Sequence, residues 1–176
     1  MGFFQLMLFN FVTPRSKRRV RVHRPPLPRR SSSDEALKSL WDELVKRYYP
    51  ERFDLFDYTL VWSRRNQKRT LASCNVRRRR VVVARELDCE EHAVWLEPLI
   101  YHELCHAVIG RDVASKGGRR AWHGKQFKEI ERKHPGIPQL DQWIKSGGWR
   151  GAVRSARART AASKRRGVPH QRDETV

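Results

Sequence analysis

The spacing of apolar residues predicts an α-helix at the start of a folded region. From Asp34 to Pro50, apolar residues recur every three or four positions, which is the period of an amphipathic helix. Ser33 stands where a helix N-cap is expected, and Asp34 and Glu35 place negative charge in the first turn, where the helix dipole favours it. The apolar positions of this stripe are Leu37, Leu40, Trp41, Leu44, Val45 and Tyr48.

Three short segments with β-branched and aromatic residues follow this helix. They read YTLVWS at 58–63, KRTLASCNV at 68–76 and RRRVVVARELD at 78–88. Polar residues separate them, as is typical of short strands joined by turns. The sequence therefore predicts a small β-sheet after the first helix.

A second helical pattern runs from about Glu90 to Val108, and Gly110 is placed to end it. Pro98 either kinks this helix or marks the start of its apolar part. A polar loop with two glycines follows. A third helix is expected over 123–134, and after the break PGIP a short fourth one over 138–148.

The flanking regions lack such a pattern. Residues 13–33 combine four prolines, eight basic residues and a serine run, a composition that cannot bury enough apolar surface to fold alone. Residues 149–176 are low in apolar content and basic. We therefore expect an α+β domain at 34–148 between two disordered basic arms, 1–33 and 149–176, with an apolar peptide at 3–12.

The charge of the chain is concentrated in these arms. The net charge is +19; residues 1–33 hold eight bases and no acid, and residues 149–176 hold eight bases and two acids. A basic arm that contacts phosphates releases condensed counterions, which favours binding to DNA or RNA. The alternative is that the charged tails only keep the protein in solution.

The cysteines and the first residues indicate where the protein works. Cys74, Cys89 and Cys105 are odd in number and form no CxxC pair, so they predict neither a disulfide framework nor a zinc ribbon. No stretch approaches the roughly 20 apolar residues that span a bilayer. Gln5 and Asn10 interrupt the apolar start, which also lacks the basic beginning of a signal peptide. We expect a cytoplasmic, nucleoid-associated protein that does not bind membranes.

The segment YHELCHAVIG carries the strongest chemical signal. His102 and His106 lie four residues apart on the predicted helix and so project from one face, at the spacing that two imidazoles need to bind one zinc ion. Glu103 lies on the neighbouring side of the helix, where it can hold a water molecule and take its proton. This pattern predicts a zinc-dependent hydrolase, with Glu103 as the catalytic residue.

A zinc hydrolase needs a third protein ligand and one open position. His123 is the best candidate, because it follows a glycine-containing loop that can fold back, and Gly124 leaves room for close approach. Its alternative role is that of a helix cap. The other candidates that the spacing leaves open are Glu129 and Glu131, followed by Asp112 and His134.

The other notable polar residues are assigned no chemistry. His23, His92 and His170 stand in or beside polar segments and are expected on the surface. The helical position of Tyr101 turns it away from the histidine face, and a core role is expected for it. Cys105 is expected to be a small buried packing residue.

With these motifs the chain resembles the SprT-like metallopeptidases, which include bacterial SprT and the eukaryotic DNA–protein crosslink protease Spartan. The resemblance covers about residues 34–148. It rests on the order of the first helix, WSRRNQKRTLASCN, RRRVVVARELD, YHELCHAVIG and WHGKQF.

The resemblance implies a small zincin-type domain that hydrolyses peptide bonds. It implies Zn²⁺ held by His102, His106 and His123, with Glu103 as general base, and protein substrates on or crosslinked to DNA. Two alternatives remain open: a nucleic-acid-binding adaptor in which zinc is structural, and a zinc peptidase without a DNA role.

The apolar start of the chain resembles a second known element. Residues 5–9 read QLMLF, similar to the peptide, commonly written Q-L-(S/D)-L-F, by which many bacterial repair and replication proteins engage the β sliding clamp. Gln5, Leu6, Leu8 and Phe9 match, and Met7 occupies the most variable position. The resemblance implies recruitment by the clamp; the alternative is an amphipathic terminus that packs on the domain or on a membrane surface.

Overall fold

The structure is a computed structural model of the chain, and it describes residues 33–110, 115–116, 119–120 and 123–166. The described residues form an α+β domain, as predicted, with five α-helices, of which four were predicted, and a three-stranded sheet. Residues 1–32 of the predicted arm 1–33, which include the apolar peptide 3–12, lie outside the described residues. No helix among the described residues is long and apolar enough to cross a membrane.

Helix α1 spans Asp34–Tyr48, which confirms the first predicted helix. The Ser33 side chain accepts a hydrogen bond from the amide of Ala36 at 3.3 Å and so satisfies one of the free N–H groups at the helix start. The predicted apolar stripe faces the core, where Trp41 is fully buried and its indole N–H donates to the carbonyl of Leu55 at 2.8 Å.

The three predicted strands are present as β1 (Thr59–Trp62), β2 (Ala72–Asn75) and β3 (Arg80–Val83). Strand β3 lies in the centre, parallel to β1 and antiparallel to β2. Strand β2 therefore forms one edge of this sheet, and it packs against the helix that carries the histidines.

Helix α2 spans Leu96–Ile109 and follows a 3₁₀ segment, Glu90–Trp95. The predicted helix thus exists, but its α-helical part begins close to Pro98, in the first turn, where a missing N–H costs no hydrogen bond. Gly110 ends the helix with a φ of +67°, a conformation that glycine adopts without steric cost.

Two short helices follow α2, as predicted. A ribbon of two-residue strands, β4 (Ser115–Lys116) and β5 (Arg119–Arg120), lies in the segment predicted to be a polar loop. Helix α3 spans Lys125–Glu131 and α4 spans Ile137–Lys145. Residues 135–136 break the helical path between them.

The prediction of a disordered tail from residue 149 is wrong for its first part. Residues Gly148–Arg166 form a fifth helix, α5, and its first turns bury Trp149, Ala152 and Val153. This apolar stripe has helical spacing but is short, and the arginines around it obscured it in the sequence. The folded domain therefore extends beyond residue 148. Residues 167–176 lie outside the described residues.

Candidate metal centre

Helix α2 presents its two histidines on one face. His102 and His106 are one turn apart, with ring centroids 5.1 Å from each other. His102 is 6% exposed, and His106 is half-buried. Their positions are fixed because α2 is buried on most of its surface between α1, β2, α3 and α4.

His123 reaches the same place from the start of α3. Its ring centroid lies 5.3 Å from that of His102 and 4.9 Å from that of His106. One ligand atom from each of the three imidazoles lies within 4.8 Å of the other two. The three histidines named from the sequence are therefore positioned together to hold a metal ion.

The Phe127 side chain packs against all three imidazoles. Its ring centroid lies 5.0 Å from His102, 4.6 Å from His106 and 4.7 Å from His123, and the residue is 1% exposed. Because aromatic rings in such contact restrict one another's rotation, Phe127 holds the imidazoles in place.

Glu131 lies behind His102. Its Oε1 atom is 2.6 Å from Nδ1 of His102, which directs the proton of the neutral ring to Nδ1 and leaves Nε2 to bind a metal. Burial acts to lower the pKa of His102, but the hydrogen bond to Glu131 and the charge of Glu103 outweigh it and raise the pKa. Glu131, considered in the sequence as a candidate ligand, is thus placed to orient His102.

The other two histidines are held in the neutral form that binds metals. Burial, followed by the charge of His102, lowers the pKa of His106 to about 3 and that of His123 to about 4. The buried Nε2 atom of His123 has no hydrogen-bond partner. A buried nitrogen without a partner is costly, and a metal ion would satisfy it. Three imidazoles with this geometry fit a zinc ion.

Glu103 points into the same site from α2. It is 4% exposed, and burial raises its pKa to about 7, although His102 and the backbone amide of Cys74 act in the opposite direction. The Cys74 amide belongs to strand β2, so the edge strand helps to position this carboxyl group. No sequence pattern indicated this contact.

An open cleft of about 400 Å³ leads to these side chains. Strand β2 and the residues before it form one side, and His123 and residues of α2 and α4 form the rest. The lining residues are Arg69, Thr70, Leu71, Ala72, Ser73, Cys74, Leu99, His102, Glu103, His106, His123, Leu140 and Ile144. The cleft is large enough for a segment of a peptide.

Two of the alternative ligand candidates lie away from the three imidazoles. Glu129 is exposed and lies 3.9 Å from Lys125. His134 is buried between tyrosine rings, and its Nδ1 accepts a hydrogen bond from the amide of Gly136 at 3.0 Å. Asp112 lies outside the described residues.

His92 was expected on the surface, and this prediction is wrong. The residue is 5% exposed, and its ring centroid lies 5.8 Å from that of Trp143. The 3₁₀ segment turns His92 inward while its neighbours Glu90 and Glu91 remain exposed. His23 and His170 lie outside the described residues.

Tyr101 and Cys105 have the core positions that were predicted. Both are fully buried, and the Tyr101 hydroxyl donates to the carbonyl of Ile130 at 3.0 Å, which ties α2 to α3. All three cysteines are free thiols.

Comparison with protein families identifies the family to which this site belongs. The model of the SprT-like family matches residues 37–140, more than half of the chain and a region that holds all three histidines and Glu103. The chain belongs to the SprT-like family, as its resemblance to that family predicted. A search of curated proteins found no match. A search of solved structures found none either.

Proposed function

We propose that the protein is a zinc-dependent peptidase of the zincin type. The observation that carries this proposal is the convergence of three imidazoles and one buried carboxyl group at an open cleft. His102, His106 and His123 would hold the ion and leave one coordination position free, as in catalytic zinc sites. When bound, zinc lowers the pKa of a coordinated water and polarises the carbonyl of the scissile bond.

Glu103 acts as general base and then as general acid. It takes the proton of the attacking water and passes it to the leaving amine of the cleaved peptide. Its carboxyl group is buried and lines the cleft, so it is held where a substrate peptide would enter.

Strand β2 is suited to binding the substrate. It pairs with β3 on one side, and its residues 72–74 line the cleft. An extended peptide can add to such an edge through backbone hydrogen bonds. This would align the peptide along the row formed by His102, Glu103 and His106.

A structural zinc site in a non-catalytic adaptor is the main alternative. Such sites are usually closed by four cysteine or histidine ligands. Among the described residues, the metal-binding group has three histidines, and it faces a cleft instead of being enclosed. These features favour catalysis.

The test is degradation of an unfolded protein by the zinc-loaded enzyme and by its Glu103→Gln variant. The amide of glutamine can still hydrogen-bond to water but cannot take its proton, so we expect a loss of at least about 10²-fold with unchanged zinc content. Glu129→Gln, a change at an exposed position, is the matched control and should retain activity. Cleavage by Glu103→Gln at the wild-type rate would favour the adaptor.

We further propose that the substrates are proteins on or crosslinked to DNA, which places the enzyme at the nucleoid in the cytoplasm. Charge supports this: α5 contains seven basic residues and no acid. Arg154 and Arg157 on this helix are exposed. Contacts from such residues to phosphates release counterions and favour DNA.

Binding to single-stranded DNA at several salt concentrations tests this partner. The double change Arg154→Ala and Arg157→Ala should reduce the slope of log affinity against log salt by about 0.7 for each lost contact. The pair Lys125→Ala and Arg132→Ala removes the same charge from α3 and its end, and it should reduce the slope less. Equal slopes for both double variants would argue against α5 as a DNA contact.

Recruitment by the β sliding clamp through Gln5, Leu6, Leu8 and Phe9 remains a proposal that rests on sequence. A peptide of residues 1–12 should bind the clamp, whereas the same peptide with alanine at positions 5, 8 and 9 should not. Equal binding by the two peptides, or none by either, would remove the clamp from the proposed function.

A further inference from the structure

The side of the cleft that faces β2 is apolar. Leu99 on α2 and Leu140 and Ile144 on α4 line it, and we call these three residues the apolar wall. Leu99 is 5% exposed and Leu140 is 1% exposed, so both also belong to the core, whereas Ile144 is half-buried. Ile144 is thus the member of the wall with most surface left for a ligand.

The apolar wall continues the row of catalytic side chains. Leu99 stands three residues before His102 and four before Glu103, so it lies on the same face of α2, one turn nearer the helix start. Leu140 and Ile144 are likewise one turn apart on α4. A peptide bond placed at Glu103 therefore has the apolar wall beside one of its flanking side chains.

A stacked pair of tryptophans holds helix α4 in place. Trp143, next to Ile144, stacks on Trp95 with ring centroids 5.1 Å apart and an angle of 22° between the planes. Because Trp95 precedes α2 and Trp143 lies on α4, this stack ties the two helices that carry the apolar wall. The wall is preformed, which lowers the entropic cost of binding.

Charge is scarce along this cleft, although the protein as a whole is strongly basic. Apart from the histidines, the charged residues among the described lining are Glu103 and Arg69, and Arg69 is exposed at the end of the segment that leads into β2. A charged substrate side chain placed against the apolar wall would lose water without gaining a partner, which is unfavourable. An aliphatic or aromatic side chain would gain by burial.

We propose that the cleft selects extended peptides with a large apolar side chain next to the scissile bond, and that Leu99, Leu140 and Ile144 form the subsite for it. This specificity rests on the proposed peptidase function. An apolar subsite of this kind discriminates between side chains by roughly 10- to 200-fold. Ile144 is the residue that sets the preference.

Binding and cleavage are measured separately. For binding, the zinc-loaded full-length Glu103→Gln variant is titrated with fluorescent peptides that differ at one position, which carries Leu, Phe, Ala, Asp or Lys. The position is scanned on both sides of the central bond. We expect the Leu and Phe peptides to bind at least about 10-fold tighter than the others at one of these positions. For cleavage, kcat/KM of the wild type should follow the same order, mainly through KM.

Changes at Ile144 test the assignment. Ile144→Ala should weaken the preference for Leu, and Ile144→Asp should reverse it in favour of Lys, with zinc content and circular dichroism as checks of the fold. Val94→Asp is the control, because Val94 is apolar but 66% exposed and does not line the cleft. If Ile144→Asp does not fold, Ile144→Ala decides the assignment. A weaker preference for Leu in this variant supports the subsite, and an unchanged preference overturns it.

The two measurements separate the subsite from the function. Equal affinities for the Leu, Asp and Lys peptides, or the same order in the Ile144 variants, would overturn the subsite even if Glu103-dependent cleavage is observed. Preferential binding of Leu and Phe peptides that the wild type does not cleave would support the subsite and overturn the peptidase.

Discussion

Helices α2 and α5 both carry polar side chains, but they meet the rest of the protein in opposite ways. Nine of the fourteen residues of α2 are buried, among them His102 and Glu103. Helix α5 buries apolar residues in its first turns and exposes arginines beyond them. Burial shifts the pKa of a polar group and demands a partner for it, whereas exposed charges are solvated and screened.

This difference determines how each helix tolerates change. In α2 the buried polar side chains contact specific partners. A single substitution at such a contact should therefore abolish metal binding or catalysis. In α5 the arginines act through summed charge, so each substitution should have a small effect. The apolar start of α5 is the exception, because it belongs to the core. The following substitutions, on α5 and in the segments that pack around α2, test this contrast.

The largest effect is expected from His123→Ala. Removing one of three ligands should abolish stoichiometric zinc binding, measured by metal analysis after gel filtration. Glu129→Ala, at an exposed position on the helix that follows His123, is the control and should retain one zinc ion per chain. Full zinc occupancy in His123→Ala would contradict the proposed ligand set.

Trp149→Ala should destabilise the fold by about 3–5 kcal/mol, the cost of a large-to-small change in a core. Urea unfolding measures this change. Trp149→Phe should cost less, because it keeps an apolar ring and removes an indole N–H that has no hydrogen-bond partner. Arg157→Ala, on the exposed side of α5, should change stability by no more than about 0.5 kcal/mol. Similar losses in Trp149→Ala and Arg157→Ala would show that α5 does not pack as described.

Glu131→Gln should weaken zinc binding by roughly 10- to 100-fold, the usual cost of losing a partner that orients a metal ligand. Competition with a chelator of known affinity measures it. Glu129→Gln should leave the affinity unchanged. An unchanged affinity in Glu131→Gln would mean that its bond to His102 does not orient the ligand.

The smallest effect is expected from His92→Phe, which should change the stability of the fold by an amount that depends on pH. Burial lowers the pKa of His92 below its ordinary value of 6.5. The unfolded chain therefore takes up a proton first as the pH falls below about 6.5, and this destabilises the fold toward lower pH. His92→Phe should remove up to about 1 kcal/mol of this loss at pH 5.5. The free energy of unfolding of the wild type and of His92→Phe is measured at pH 7.5 and at pH 5.5. An equal loss in both proteins between the two pH values would contradict this prediction.

The residues that could be predicted from sequence are those whose spacing reflects local geometry. His102, Glu103 and His106 share one helix, and helical periodicity alone places them on adjacent faces. His123 was found because a glycine-containing loop and Gly124 allow a return of the chain. The three strands could also be predicted, because the β-branched and aromatic residues that favour a strand lie within each segment.

The contacts that could not be predicted depend on packing between elements. Whether Glu131 binds a metal or orients His102 is decided by how α3 lies on α2, which no spacing encodes. The amide of Cys74 approaches Glu103 only because β2 packs on α2. For His92 and Trp149, the surrounding charged residues suggested exposure, and the structure buries both.

Gly148, the first residue of α5, has a consequence for how this protein can diversify. A Cβ atom at this position would lie 2.1 Å from the ring of Trp143, so any other residue would displace that ring. Trp143 is the neighbour of Ile144 in the apolar wall. Substitutions should therefore be tolerated on the exposed side of the basic helix but not on its buried side, and at Gly148 even a single methyl group would displace the neighbour of Ile144. Homologues that replace this glycine should have compensated at position 143.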